Sequence, residues 1–281
     1  MTGSRNGRGP AILARSNDGI VAAGSPEQRG PRGVSAATSL ADVLYVLVAA
    51  ALAVALSHVP ALGVVLYPFK LFGTFTHEWS HALVTLLTGG HVVGLRINPD
   101  LSGEEYSAGG WGLAISSAGY LGTACAGAAL LLAPVRRAKR TLQGIGVTVA
   151  ALPLAGMLLQ GATFTLATLA WAVVFAVVAV GVGRRGTVRL AGLFQQFLAV
   201  ELCLTALDAL RDLVWLALNA PGVATDATNA ATATHVPAVV WAVLWSIAGC
   251  AVVGWAALHL ARRALLSSAS GATRLGRPLS S

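Results

Sequence analysis

Seven stretches of largely apolar residues, near 40–57, 67–88, 111–133, 143–160, 162–183, 191–218 and 237–261, constrain this chain more than any other feature. A helix rises about 1.5 Å per residue, so each stretch is close to the length that crosses a hydrocarbon core about 30 Å thick. With 56% hydrophobic residues, 11% charged residues and a mean hydropathy of +0.72, a soluble domain of 281 residues could not bury its apolar surface. The sequence predicts an all-α polytopic membrane protein of six or seven transmembrane helices, integral and multi-pass in the cell membrane, with the lipid bilayer as its partner.

The formal charge of +8 does not point to nucleic acid. The cations sit in short clusters beside apolar runs, at 136–140, at Arg184, Arg185 and Arg189, and at Arg262 and Arg263, as expected of loops held on the cytoplasmic side. The last four stretches fit this as two hairpins. The first three do not, because an odd number of crossings would set the Arg-bearing N-terminal tail opposite the first cluster. A re-entrant early segment or an external tail would resolve this. Residues 1–38, rich in Gly, Arg, Ser and Pro and without an apolar period, read as a disordered basic tail rather than a cleaved leader. Residues 39–263 form the transmembrane domain and 264–281 a flexible C-terminal tail. No internal repeat of constant period is visible. Cys125, Cys203 and Cys250 each lie within an apolar run and imply packing, not disulfides.

Between the second and third stretches, alternating apolar residues from His91 to Ile97, the turn-forming Asn98-Pro99-Asp100 and Ser102-Gly103, and a polar run to Ser107 predict a short β-hairpin. Open strand edges cannot face lipid, so the hairpin must lie at the interface or be covered by protein.

The chemistry-bearing motif is His77-Glu78-Trp79-Ser80-His81. Histidines four apart on a helix stand one turn apart on the same face, where two ring nitrogens can converge on one metal. In this pattern the glutamate is a base: Glu78 takes a proton from water that zinc has acidified to a pKa of about 7. A glutamate within an apolar helix is costly unless it has a function or a partner. A catalytic zinc site needs a third protein ligand. The sixth stretch offers Glu201, Asp208 and Asp212 on one stripe; Asp208 is the first candidate, ahead of Asp212 and Glu201. Arg211 could instead neutralise its acidic neighbours. His58, His91, His235 and His259 fall in loops or near span ends and are not expected as ligands, Trp111 and Trp215 suit interfacial belts, and the small residues of 118–122 suit close helix packing.

The run Thr76 to Leu83, followed by Thr88-Gly89-Gly90, a hairpin and Ala118-Gly119-Tyr120-Leu121-Gly122, resembles the site-2 protease family of intramembrane zinc metallopeptidases, and its compact B-type members most closely. A weaker echo covers 197–213 and Thr225-Asp226-Ala227. The resemblance implies a three-helix metal-binding core, with His77 and His81 as zinc ligands, Glu78 as the catalytic acid/base and Asp208 as the best match to the aspartate ligand. It also implies cleavage of membrane protein or peptide substrates within or beside the bilayer. The family's Leu-Asp-Gly signature is reduced here to Leu207-Asp208-Ala209, which leaves Asp212 and Asp226 as alternatives, and no PDZ-like module is evident. Two other readings fit the same residues: a non-proteolytic membrane protein that retains the metal site, and a metal or proton-coupled transporter using the acidic stripe.

Overall fold

The computed structural model describes residues 40–57, 63–160 and 164–275. The expected tail at 1–38 lies outside the described residues. The described chain runs α1 (Leu40–Ser57), α2 (Gly63–Leu87), β1 (His91–Ile97), β2 (Gly103–Ala108), α3 (Gly112–Leu132), α4 (Ala138–Gln160), α5 (Leu166–Arg185), α6 (Val188–Asn219), α7 (Asp226–Thr234) and α8 (Ala238–Leu275). A single 3₁₀ turn, Val135–Arg137, joins α3 to α4. Five of these helices, α3, α4, α5, α6 and α8, are long and apolar enough to cross a membrane. The expected count of six or seven is therefore not reached on these criteria. α1 is apolar over its described stretch Val43–Leu56, and α2 interrupts its apolar run with the polar turn of the histidine motif. At the C-terminal end of the described residues, α8 extends through Leu275.

The centre of the bundle is α3, which packs against α2, α6, α7 and α8. Small residues make this possible. Gly127 faces α6 so closely that a Cβ there would meet Cys203 Sγ at 2.8 Å and the Cys203 nitrogen at 3.0 Å. Where lipid removes most of the hydrophobic drive between helices, such backbone approach supplies the packing contacts. On the other side of α2, α4 and α5 pair and enclose an aromatic-rich core in which Phe72 stacks on Phe175.

The hairpin forms as the turn chemistry predicts. β1 and β2 pair antiparallel from His91↔Ala108 to Ile97↔Gly103, with an irregularity between Val92 and Gly94. Leu95 and Ile97 are buried in the core shared by α2, α4 and α5, so their directly opposed partners Glu105 and Gly103 share the inward face. Protein covers the hairpin's polar groups: Tyr67 donates to the Pro99 carbonyl at 3.0 Å, Thr74 to Leu101 at 2.9 Å and Thr168 to Ile97 at 2.8 Å. Irregular backbone at membrane depth requires such partners.

Candidate metal centre

The motif divides its residues between two tasks. His77, Glu78 and His81 line a cleft of about 770 Å³, while Trp79 stacks against Phe164 and Ser80 folds its hydroxyl onto the Thr76 carbonyl at 2.7 Å. The period of the helix produces this split, because positions one and four apart lie on one face and the intervening pair on another. Glu78 and His81 are buried.

The third member arrives from far along the chain. Asp226 Oδ2 lies 3.5 Å from His77 Nε2 and 3.4 Å from His81 Nε2, and the three ligand atoms all fall within 4.8 Å of one another. Asp226 opens α7, whose start is held by a reciprocal cap: Thr225 Oγ1 accepts from the Thr228 nitrogen, and Thr228 Oγ1 accepts from the Thr225 nitrogen. Burial alone would raise the Asp226 carboxyl, but hydrogen bonding to the two imidazoles holds it below the usual carboxylate range.

The donor set fits a divalent metal. Ligand atoms about 2.0–2.2 Å from a tetrahedral ion stand about 3.3–3.6 Å apart, and both nitrogen–oxygen separations agree. His81 Nδ1 donates to the Ile115 carbonyl at 2.6 Å, which fixes the ring with Nε2 toward the cleft, as an outer partner does for a metal-bound histidine. The ring of His77 rests edge-on against Tyr120, with centroids 4.6 Å apart. α3 leaves room at this point because residue 119 is glycine: a Cβ there would lie against Nε2 of both histidines. The small stretch 118–122 is thus a packing face, as expected, and also one wall of the site. Opposite it, Gly103 of β2 approaches Glu78 so closely that a Cβ would meet the carboxyl group.

Asp208 is not brought to the histidines. It lies on the exposed side of α6, its side chain 70% exposed and 3.7 Å from Arg211, and Asp212 accepts from the same guanidinium at 2.9 Å. Glu201 is buried in α6 but does not join the cluster. Asp208 and Asp212 lie off the stripe that α6 buries toward its C-terminal end, Leu202, Ala206, Leu210 and Leu213. What the reading of the residues passed over was the cap. Thr225 and Thr228 three residues apart mark a helix start, and Asp226 sits in its first turn, a placement recognisable only once α7 is known to return over the motif.

Residues 45–256, well over half the chain, match the family model described as Peptidase M50B-like, and the chain belongs to that family, a branch of the site-2 proteases. It is a membrane metallopeptidase by family, with apolar helices that make it an integral multi-pass protein. No curated protein and no solved structure matches the chain.

Proposed function

We propose that this protein is an intramembrane zinc metallopeptidase of the cell membrane that hydrolyses peptide bonds of membrane-associated proteins or peptides, with His77, His81 and Asp226 as metal ligands and Glu78 as acid/base. The observation that carries the reading is the convergence of two imidazole nitrogens and one carboxylate oxygen within 4.8 Å of one another, beside a buried glutamate, on the wall of an open cleft. Asp226 replaces Asp208 in this assignment because a ligand must reach the same point as the histidines.

Zinc bound there supplies a Lewis acid that polarises a carbonyl and lowers the pKa of water to about 7. Glu78 removes a proton from the water that attacks the peptide carbon. The carbon–nitrogen bond then breaks, and Glu78 returns the proton to the departing nitrogen, leaving a carboxylic acid and an amine. Burial keeps Glu78 from competing solvent until a substrate segment enters. That segment must be extended at the reacting bond, since helical carbonyls are hydrogen-bonded and shielded. β2 lines the cleft, and pairing of an extended peptide with the hairpin is the way we propose such a segment is held. The acids on which a transport reading rested are tied to Arg211 on the exposed side of α6, which favours the peptidase.

The test is hydrolysis by the purified, zinc-loaded protein of peptides taken from membrane-spanning segments, with new termini located by mass spectrometry. Cleavage that disappears in Glu78→Gln at unchanged zinc content supports the proposal. Equal cleavage by wild type and Glu78→Gln sinks it.

A further inference from the structure

Tyr120 stands where α3, α7 and α8 meet the candidate metal centre. It follows Gly119 in α3, and its ring rests edge-on against His77 while stacking on Trp245 of α8, with centroids 5.8 Å apart. Its hydroxyl donates to the Asp226 carboxylate at the start of α7. Around the ring, Leu210 and Leu213 of α6, Ala227 and Ala230 of α7 and Ala242 of α8 complete a buried cluster. The hydroxyl is the part that packing does not explain. Phenylalanine would keep the ring contacts with His77 and Trp245, and a hydroxyl placed among apolar groups is costly unless it is bonded.

The ring is held in this place from behind. Trp245 is buried and packs on Trp241, whose Nε1 donates to Thr234 Oγ1 at 3.0 Å at the end of α7. α7 is thereby tied to α8 at its far end, its buried face rests in the same cluster as Tyr120, and Thr225 and Thr228 cap its start. Asp226 is the member of the ligand set that most needs such support. The two histidines are set by one turn of α2, and His81 is fixed by the Ile115 carbonyl as well. The Asp226 side chain stands in the first turn of a nine-residue helix and lines the open cleft, where water competes for its oxygens.

We infer that Tyr120 is a positioning residue for Asp226: its hydroxyl holds the carboxylate turned toward His77 and His81, so that the ligand set is already formed when a metal arrives. The inference rests on the proposed role of Asp226 as a ligand. Tyr120 itself touches neither substrate nor metal in this role. An outer partner of this kind acts by fixing the orientation of a ligand, and its loss typically weakens metal binding about 10- to 100-fold.

Zinc affinity, read by chelator competition on the purified full chain in detergent, tests this without turnover, in wild type, Tyr120→Phe, Asp226→Ala and the double variant. Tyr120→Phe should weaken zinc binding about 10- to 100-fold. In the Asp226→Ala background the same substitution should change it little, because the group it positions is gone. In the cobalt-loaded protein the visible bands should shift in Tyr120→Phe, reporting an altered carboxylate ligand. Tyr67→Phe is the control: it removes a hydroxyl bonded to the Pro99 carbonyl on the hairpin and should leave zinc affinity and cobalt bands as in wild type. Unchanged affinity and bands in Tyr120→Phe, a loss that adds in full to that of Asp226→Ala, or an equal loss in Tyr67→Phe overturns the inference and leaves the metal centre standing. Wild type that binds no zinc removes the metal centre itself, and the inference with it.

Discussion

Gly119 illustrates how much of the site depends on what one residue lacks. Its missing side chain is what lets both imidazoles present Nε2 to the same point, so Gly119→Ala forces the histidines apart or α3 away from α2. Overpacking of this kind costs about 1–3 kcal/mol in stability, but the larger effect is expected on metal binding, which should fall to background in elemental analysis of folded protein. A second prediction at this scale separates the aspartates. Asp226→Ala should lower zinc affinity by more than the roughly 100-fold that loss of an outer partner produces. Asp208→Ala should leave it unchanged, because Asp208 faces Arg211 on the exposed side of α6. Chelator competition on both variants checks this, and the opposite ranking would return the third ligand to α6.

At the scale of elements, the hairpin and α7 complete what α2 begins. α2 supplies three of the proposed site residues, yet Glu78 is enclosed by Gly103 of β2, and the carboxylate partner of the histidines comes from the capped start of α7. Gly103→Ala pushes a methyl group into the Glu78 carboxyl while leaving the histidines alone. Turnover should drop by about 100-fold, the lower end of what a positioned proton-transfer group contributes, with bound zinc unchanged. The separation between metal content and rate is the readout. The hairpin was legible in the sequence because its turn residues are local. α7 was not, because nine residues with little apolar character do not announce a helix by period.

For the whole molecule, a metal held by His77, His81 and Asp226 is expected to contribute to stability, since it would join α2 to α7 across the cleft. Added zinc at about 100 times its dissociation constant should stabilise the folded state by about 2.7 kcal/mol, seen as an upward shift of the melting temperature in detergent that Asp226→Ala abolishes. The pH dependence has a definite sign. Metal ligation needs neutral imidazoles, so acidification that protonates them should release the metal and remove that stabilisation, and raising the pH should restore it. A melting temperature indifferent to both zinc and acid would mean that the three ligands do not hold a metal together.

Features that depend on spacing along the chain were determined by the sequence alone. Apolar runs of span length required a helical membrane protein, histidines four apart required a shared helix face with Glu78 beside them, and the Asn-Pro-Asp and Ser-Gly turns required a hairpin. Each of these is a local property, set by rise per residue, helix period or turn geometry. Tertiary structure alone decided which carboxylate meets the histidines. Asp226 is 145 residues beyond His81, and no periodicity links positions so far apart. The acids of α6 show the same limit from the other side: they share a helix face, as their spacing demands, but packing against α3 and α8 turned the neighbouring face inward and left Asp208 and Asp212 outside.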